Sequence, residues 1–409
     1  MPNISPLAPA SFPVMSPIAG VRLASYAAGI RYSGREDVMV AELAPGSTIA
    51  GVFTQSTMPG QPVIWCRECL PHGTVRAIVV NSGNANVFTG RAGWQVVEST
   101  AATAARLFSC EPREIYLSST GVIGEPPPAD RISAALPNIV GLLDGGAWEK
   151  AARAIMTTDT FPKGATATAS IDGTAVRLNG FCKGSGMIAP NMATMLAYLF
   201  TDAALPPPVL QQLLSETNEV SFNSMTVDGD TSTSDTVLLC ATGQARNAPV
   251  ASPDDPRLAG FRQALHAVMT DLAQQIARDG EGAGKFVTID VTGAESDRAA
   301  RQIGLTIGNS PLVKTALAAG DANWGRIVMA VGRAGEKADR NRLGIAIGGT
   351  QITAEGGPIP GYREGPVAEH MKGCNIHIAV DIGIGAGKAT VWTCDLTHGY
   401  VDINGSYRS

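Results

Sequence analysis

The sequence predicts an α/β protein in which layered, mostly antiparallel sheets lie between helices. Short β-prone runs alternate along the chain with segments whose apolar residues recur at helical spacing. The composition is 44% hydrophobic and only 16% charged, with 46 glycines, which is typical of a compact globular protein with many loops. A chain of 409 residues is long enough for two or three domains and a large buried core.

The first half of the chain alternates between predicted strands and helices. Strands are predicted at 38–43, 49–54, 75–80, 114–117, 165–170 and 173–178, the last two forming a hairpin. Helices are predicted at 93–108, 130–143 and 147–156. The Asn-, Ser- and Gly-rich segment 81–90 reads as a loop that binds either its own backbone or a ligand. The segment 118–124, SSTGVIG, is either an ordinary turn or a group of outward-pointing donors.

The second half begins with a helix and ends in strands. Helices are predicted at 206–219, 261–278, 296–307 and 311–319, and a strand at 286–291. The helix at 261–278 places Phe261, Leu265 and Val268 on one face. Strands alternating with glycine turns are predicted from 343 to 393.

The stretch from Lys183 to Ala203, KGSGMIAPNMATMLAYLFTDA, joins a glycine-rich loop to an apolar run, with Thr194 at the junction. Thr194 has two interpretations. It is either a β-branched residue that opens a strand, or a nucleophile released by cleavage of the peptide bond before it. In the second case its own α-amine, with a pKa of roughly 7.7 to 8.0, could deprotonate its Oγ.

The residues from Lys183 to Leu196 closely resemble the self-processing motif of the ornithine acetyltransferase (glutamate N-acetyltransferase) family. The resemblance covers nearly the whole chain, with further motifs near 81, 118, 156, 221, 279, 320 and 397. It implies cleavage between Ala193 and Thr194, which would give an α chain of residues 1–193 and a β chain of residues 194–409. It also implies a fold similar to that of N-terminal-nucleophile amidohydrolases.

The same resemblance implies a reaction of arginine biosynthesis. The acetyl group of N2-acetyl-L-ornithine would pass to Thr194 and then to L-glutamate, while Thr120 and Gly121 stabilise the oxyanion. Acetyl-CoA is a possible further donor, and no cofactor or metal is expected. The implied assembly is a heterotetramer of two α and two β chains.

The resemblance and the charges together predict the substrate contacts. Lys183 is assigned to the substrate α-carboxylate because of its point charge, and the carboxylate of Glu281 suits a substrate ammonium group. The contacts expected from the resemblance are Thr157, chosen over Thr158, with Glu281, Asn404 and Ser409, together with Thr194 itself.

Several other site types fit the sequence poorly. The GxGxxA pattern that begins at Gly184 runs into Pro190, where a dinucleotide site needs a helix. Leu239 stands where a calcium loop starting at Asp228 needs glutamate. The single CxxC, Cys66 and Cys69, has no second ligand pair for zinc, so two buried thiols are favoured over a redox pair.

Charge and hydropathy exclude further partners. A net charge of −5, with 31 basic and 36 acidic residues, offers no basic surface to nucleic acid. The apolar stretches are shorter than the roughly 20 residues of a membrane span. Arg22 is the first basic residue, which is not typical of a secretory signal, and the seven scattered cysteines read as reduced thiols. We therefore expect a cytoplasmic protein.

Two other functions remain open at this point. The nearer one is an N-terminal-nucleophile amidohydrolase or aminopeptidase on the same scaffold, in which water replaces glutamate as the acceptor. The more distant one is a binding protein that keeps the fold without catalysis.

Overall fold

The computed structural model of the protein describes residues 4–189 and 195–406. Within these ranges the chain forms three sheets. The strands are β1 (Val21–Tyr26), β2 (Val38–Leu43), β3 (Thr48–Phe53), β4 (Ala77–Asn84), β5 (Ile115–Val122), β6 (Lys163–Ile171), β7 (Thr174–Lys183), β8 (Leu196–Thr201), β9 (Thr236–Ala241), β10 (Phe286–Ala294), β11 (Gly344–Ile347), β12 (Thr350–Ala354), β13 (Gly357–Pro358), β14 (Asn375–Asp381) and β15 (Gly387–Cys394). The helices are α1 (Gln61–Cys69), α2 (Gly90–Phe108), α3 (Ala129–Val140), α4 (Trp148–Ala154), α5 (Pro207–Glu219), α6 (Ala259–Arg278), α7 (Asp297–Gly308), α8 (Pro311–Ala319), α9 (Trp324–Gly332), α10 (Glu364–Met371) and α11 (His398–Gly405).

The strand pairing is mainly antiparallel, as predicted. The strand orders are β1-β2-β4-β5 in the first sheet, β3-β9-β8-β7-β6 in the second and β13-β12-β11-β14-β10-β15 in the third. Each sheet contains one parallel pair, namely β4 with β5, β8 with β9, and β10 with β14. The predicted hairpin is present as β6 and β7, which pair in register from Lys163 opposite Cys182 to Ile171 opposite Thr174.

The first two sheets stack face to face, and helices cover their outer faces. Side chains alternate along a strand, so β8 contributes to two cores. Tyr198 and Phe200 lie in the core shared with the first sheet, while Ala197 and Leu199 lie in the core shared with α5 and α6. On the far side of the first sheet, α2 and α3 enclose a further core. The predicted layers of sheets between helices are therefore confirmed.

The burial of both faces of β8 explains why its sequence is continuously apolar. A strand covered on both faces is expected to be continuously apolar instead of alternating, and LAYLF fits this description. Between the two sheets, Phe200 contacts the Trp148 ring at a centroid distance of 5.7 Å and the Phe181 ring at 6.0 Å. These aromatic contacts hold α4 against the middle of the sheet pair.

The third sheet forms its own core with α7, α8 and α9. In this sheet β10 and β14 pair in parallel, with Phe286 opposite Asn375. The helix α6 precedes this sheet in the chain, and its C-terminal end leads through a short turn into β10. That turn contains Glu281, so the third sheet positions the turn from one side. Among the described helices, none is long and apolar enough to span a membrane.

Several boundaries differ from the sequence prediction. β5 continues to Val122 instead of ending at 117, so Thr120 and Gly121 lie in the strand. β4 likewise continues to Asn84, into the segment predicted as a loop. The cause is a long-range pairing in which Gly83 lies opposite Gly121. Helices α1, α9, α10 and α11 were not predicted, because each spans only eight or nine residues, too few for a clear periodic pattern.

The aromatic contacts between the sheets make a stability prediction. We expect Phe200→Ala to lower the free energy of unfolding by about 3–5 kcal/mol, because it removes a fully buried ring and leaves a cavity. Urea denaturation followed by tryptophan fluorescence measures this change. Phe88→Ala is the matched control, since Phe88 is 83% exposed, and it should alter the free energy by no more than about 0.5 kcal/mol. Equal effects of the two changes would contradict the layered core.

Candidate active site

A cavity of about 250 Å³ opens where β5 and β7 end and where the turn after α6 meets α11. It brings together five residues selected from the sequence: Thr120, Gly121, Lys183, Glu281 and Asn404. The other lining residues are Ala85, Val122, Ile123, Thr158, Gly186, Met187, Ser232, Thr233 and Ser234. Three further selected residues, Ala193, Thr194 and Ser409, lie outside the described residues.

Lys183 is a buried cation that lines this cavity. It ends β7, is 4% exposed, and its Nζ donates a hydrogen bond to Thr120 Oγ1 at 3.3 Å. Among the described residues, none of the carboxylates lies within ion-pair distance of Nζ. Burial lowers the pKa of Lys183 and so does the nearby Lys163, whereas the Asp159 carboxylate raises it. A buried charge without a partner is costly, so this cation is suited to an anionic ligand.

Thr120 and Gly121 lie beside Lys183 at the end of β5. Gly121 has φ +128°, and a Cβ there would lie 2.3 Å from the carbonyl group of Gly83 on the neighbouring strand. Only glycine therefore allows the two strand ends to approach this closely. Because Lys183 already donates to the Thr120 hydroxyl, the proton of that hydroxyl remains available to an acceptor in the cavity.

A buried charge triad lies behind the cavity. Lys163 Nζ contacts Asp159 Oδ1 at 2.7 Å and Asp279 Oδ2 at 2.6 Å, and all three side chains are fully buried. Asp159 also accepts from the Gly184 amide at 2.7 Å, and Asp279 from the Thr160 amide at 2.9 Å. Burial opposes ionisation of Asp159, but its positive neighbours and hydrogen bonds outweigh that effect and lower its pKa. The triad thus joins the loop after α4, the start of β6, the end of β7 and the end of α6.

Glu281 lies on the turn after α6 and also lines the cavity. Its Oε2 accepts from Asn404 Nδ2 at 2.7 Å, and its carboxyl group also shares a hydrogen bond with Thr158. Its backbone amide donates to Ser185 O at 3.0 Å. A Cβ on Gly186 would lie only 2.4 Å from the carboxyl group, so a larger residue there would displace the Glu281 side chain from its present position. Burial raises the pKa of Glu281, while the Asn404 and Thr158 hydrogen bonds lower it.

The two chain ends that flank residues 190–194 are held at the cavity. On one side, the amides of Met187 and Ile188 donate to Asp228 at 2.6 and 2.8 Å. On the other side, the Met195 amide donates to Asp235 Oδ1 at 3.0 Å, and Leu196 pairs with Lys183. Met187 has the left-handed value φ +58°, which is uncommon outside glycine. The described residues on both sides of 190–194 are therefore anchored by the buried or half-buried carboxylates Asp235 and Asp228.

Asp235 was not selected from the sequence as a site residue. It is fully buried, and its Oδ2 has no hydrogen-bond partner among the described residues. Burial raises the pKa of Asp235 well above its ordinary value, and the bond from Met195 only partly opposes this. The preceding residues Ser232, Thr233 and Ser234 add hydroxyl groups to the cavity wall. The sequence DGDTSTSD at 228–235 shows that this segment is polar, but it does not indicate which of its residues belong to the site.

The loop after α4 places a different threonine from the one chosen. Thr158 lines the cavity and contacts Glu281, whereas Thr157 is engaged through its backbone amide, which donates to Asp159 Oδ2 at 3.1 Å. Two adjacent residues in a loop point in different directions, and the sequence gives no periodicity that decides between them.

The metal-binding and thiol chemistry considered from the sequence is not found at this cavity among the described residues. Among residues 4–189 and 195–406, none of the His, Cys, Asp and Glu residues form a group of three or more suited to a metal ion. Cys66 and Cys69 are buried free thiols, as favoured above, and Cys66 Sγ donates to Leu117 O at 3.2 Å. Burial raises the pKa of the Cys69 thiol to about 11, which disfavours the thiolate at neutral pH.

The fold and the cavity define a layered α/β protein with a polar small-molecule site. Comparison with known proteins is more specific. The family model described as the ArgJ family matches residues 22–409. The arginine biosynthesis bifunctional protein ArgJ of Gluconobacter oxydans is 58% identical over 406 residues, which cover 99% of this chain and 96% of that protein. The chain therefore belongs to the ArgJ family, and the family resemblance inferred from the sequence motifs is confirmed.

Two solved structures were also matched. The crystal structure of arginine biosynthesis bifunctional protein ArgJ from Bacillus halodurans is 42% identical and has a TM-score of 0.49, covering 50% of this chain and 96% of that chain. The L-aminopeptidase D-Ala-esterase/amidase of Ochrobactrum anthropi, described as a variant of the Ntn hydrolase fold, is 12% identical with a TM-score of 0.39. That match covers 68% of this chain and 89% of that chain.

The buried triad makes the second stability prediction. We expect Lys163→Met to lower the free energy of unfolding by about 3–5 kcal/mol, because it leaves two carboxylates buried without their shared cation. Denaturation with urea measures this change. Lys372→Met is the control, since Lys372 is 73% exposed in its pair with Glu369, and a loss of at most about 1 kcal/mol is expected there. If Lys163→Met were as stable as the control, the triad would not join these four segments.

Proposed function

We propose that the protein transfers the acetyl group of N2-acetyl-L-ornithine to L-glutamate through an acetyl ester on Thr194 Oγ. The observation that carries this proposal is that Lys183, which has no ion-pair partner among the described residues, lines the same small cavity as the buried carboxyl group of Glu281. A ligand with an anionic and a cationic end matches this arrangement. Membership of the ArgJ family, whose relatives are named for arginine biosynthesis, supports the choice of amino-acid substrates.

In the first half-reaction, the α-amine of Thr194 would take the proton of its own Oγ. The oxygen then attacks the acetyl carbonyl carbon, and the Thr120 hydroxyl and the Gly121 N–H stabilise the negative oxygen that forms. The C–N bond breaks, the departing nitrogen takes up the proton, and ornithine leaves. The acetyl group remains as an ester on Thr194. The close approach of Thr120 and Gly121 to Lys183 supports this assignment.

In the second half-reaction, the α-amine of glutamate attacks the ester carbon, and the Thr194 Oγ leaves with a proton. One amide is exchanged for another of nearly equal energy, so the reaction needs no nucleotide to drive it. We propose no cofactor, with acetyl-CoA as a possible second acetyl donor. Ping-pong kinetics are expected of such an acyl enzyme.

The nucleophile would arise by cleavage between Ala193 and Thr194. This step divides the chain into an α chain, 1–193, and a β chain, 194–409, and we propose an assembly of two of each in the cytoplasm. The anchoring of Met187 and Met195 on either side of the segment supports cleavage at a defined point. β7 and β8 pair across the cut, so the two chains would remain joined in one sheet.

The same cavity suggests how the substrate is oriented. Lys183 would bind the α-carboxylate, and Glu281 would bind the side-chain ammonium of ornithine together with Asn404 and Thr158. Thr158 takes the role first given to Thr157 because it is the threonine in contact with Glu281. Ser409, the last residue of the chain, remains a proposed contact.

The first test concerns self-cleavage. Thr194→Ala should abolish both cleavage and acetyl transfer, because it removes the oxygen that both steps need. Thr194→Ser should keep both at a reduced rate. Denaturing gels and N-terminal sequencing measure cleavage, and N-acetylglutamate formation measures transfer. An active wild-type protein with an uncut chain would contradict the mechanism. Acetate release in place of transfer would favour an amidohydrolase instead.

The second test concerns the oxyanion. Thr120→Val keeps the shape of the side chain but removes the hydroxyl group, so kcat should fall by about 10²- to 10³-fold with little change in KM. Steady-state rates with both substrates measure this effect. Thr306→Val serves as the control, because the Thr306 hydroxyl lies outside the cavity, in an exposed bond to the Gln302 carbonyl of its own helix. A Thr120→Val enzyme with unchanged kcat would remove Thr120 from the mechanism.

A further inference from the structure

In the proposed reaction the cavity binds two amino acids whose side chains carry opposite charges. Of the described residues that line it, only Lys183 and Glu281 carry ionisable charge. Ornithine ends in an ammonium group, whereas glutamate ends in a second carboxylate. In a ping-pong reaction the second substrate enters the space that the first product leaves. If Lys183 binds the α-carboxylate of each substrate, Glu281 meets a cation in one half-reaction and an anion in the other.

Two carboxylates in contact inside a buried site cannot both remain ionised without a large cost. The surroundings of Glu281 provide two neutral donors, the Asn404 amide and the Thr158 hydroxyl, but among the described residues no second cation lines this wall. The glutamate side chain therefore needs one more hydrogen-bond donor. A protonated Glu281 is such a donor, because a carboxylic acid has one O–H.

We propose that Glu281 changes its protonation state between the two half-reactions, binding the ornithine side chain as a carboxylate and the glutamate side chain as a neutral acid. This inference rests on the proposed function. One proton enters the site with glutamate and leaves with N-acetylglutamate, so a complete cycle consumes none. A single carboxyl group thus accepts side chains of either sign, and a second binding site is unnecessary.

Some groups around Glu281 favour its ionised form and others favour its neutral form. They come from several parts of the chain: Lys183 from β7, Asp228 from the loop before β9, Tyr400 from α11, and the charge triad Asp159, Lys163 and Asp279. Within α11, His398 and Asp402 are exposed. Burial raises the pKa of Glu281 most, and Asp228 also raises it, whereas Lys183 lowers it.

Glu281 is held in place independently of its charge. Its amide bonds to Ser185, and the missing side chain of Gly186 leaves just enough room for the carboxyl group. The Asn404 amide can donate to one oxygen of either form, and the Thr158 hydroxyl, which can donate or accept, can turn to accept from the protonated form. Glu281→Gln is consequently a close mimic of the neutral acid.

The experiment measures the two KM values separately as a function of pH, using the processed enzyme. Since the neutral acid binds glutamate, the KM for glutamate should rise about tenfold per pH unit above the pKa of Glu281. The KM for N-acetylornithine should instead rise as the pH falls below that pKa. In the Glu281→Gln enzyme, the KM for N-acetylornithine should rise at least tenfold, while the KM for glutamate should lose its pH dependence.

Proton uptake gives an independent readout. Calorimetry of glutamate binding in buffers of different ionisation enthalpy should show proton uptake that rises towards one proton per site in the wild-type protein as the pH passes above the pKa of Glu281, and none in Glu281→Gln. Glu369→Gln, an exposed carboxyl group on α10, is the matched control and should behave as wild type.

The outcomes separate this inference from the proposed function. If wild-type enzyme transfers acetyl groups but Glu281→Gln raises both KM values equally, or glutamate binds without proton uptake, the change of protonation state is refuted and the transfer reaction stands. If wild-type enzyme forms no N-acetylglutamate from N-acetylornithine, the proposed function itself fails.

Discussion

The buried bridge from Asp159 through Lys163 to Asp279 is the interaction on which the site most depends. Lys163 and Asp279 lie 116 positions apart in the sequence, yet their side chains meet at 2.6 Å without access to water. The same carboxylates accept from the Gly184 and Thr160 amides, so the bridge also sets the backbone path on both sides of the cavity. Such a network is expensive to bury and is retained only when every member is satisfied.

The bridge also explains how Lys183 can remain unpaired. Asp159 satisfies its charge with Lys163 and its remaining hydrogen bonds with backbone amides, so it lies near Lys183 without binding it. The field of Asp159 favours the charged form of Lys183, while burial opposes it. Asp159 thus offsets part of the cost of burying Lys183 without bonding to it, which leaves the ammonium group available to an anionic ligand. A direct ion pair at Lys183 would make the core more neutral but would leave the cavity without an anion-binding group.

The sequence predicted the parts of the structure that follow from local patterns. Phe261, Leu265 and Val268 recur at helical spacing, and α6 is present; the apolar run after residue 195 is the buried strand β8. The ends of β4 and β5 could not be predicted, because Gly83 and Gly121 become strand residues only by pairing with each other. The contacts within the triad, and the choice of Thr158 over Thr157, depend on three-dimensional proximity for which the sequence has no periodic signal.

Glycine at three positions sets the size of the cavity, and this has a consequence for specificity. Gly83 and Gly121 allow the ends of β4 and β5 to lie close together, and Gly186 leaves room for the Glu281 carboxyl group. These close approaches bring the strand ends that carry Thr120 and Lys183 and the turn that carries Glu281 around one small cavity. The size of the cavity limits the length of a ligand, whereas the ionisable groups Lys183 and Glu281 select by charge. If the charge of Glu281 adjusts as proposed, such a cavity would admit two amino acids of similar length and opposite side-chain charge.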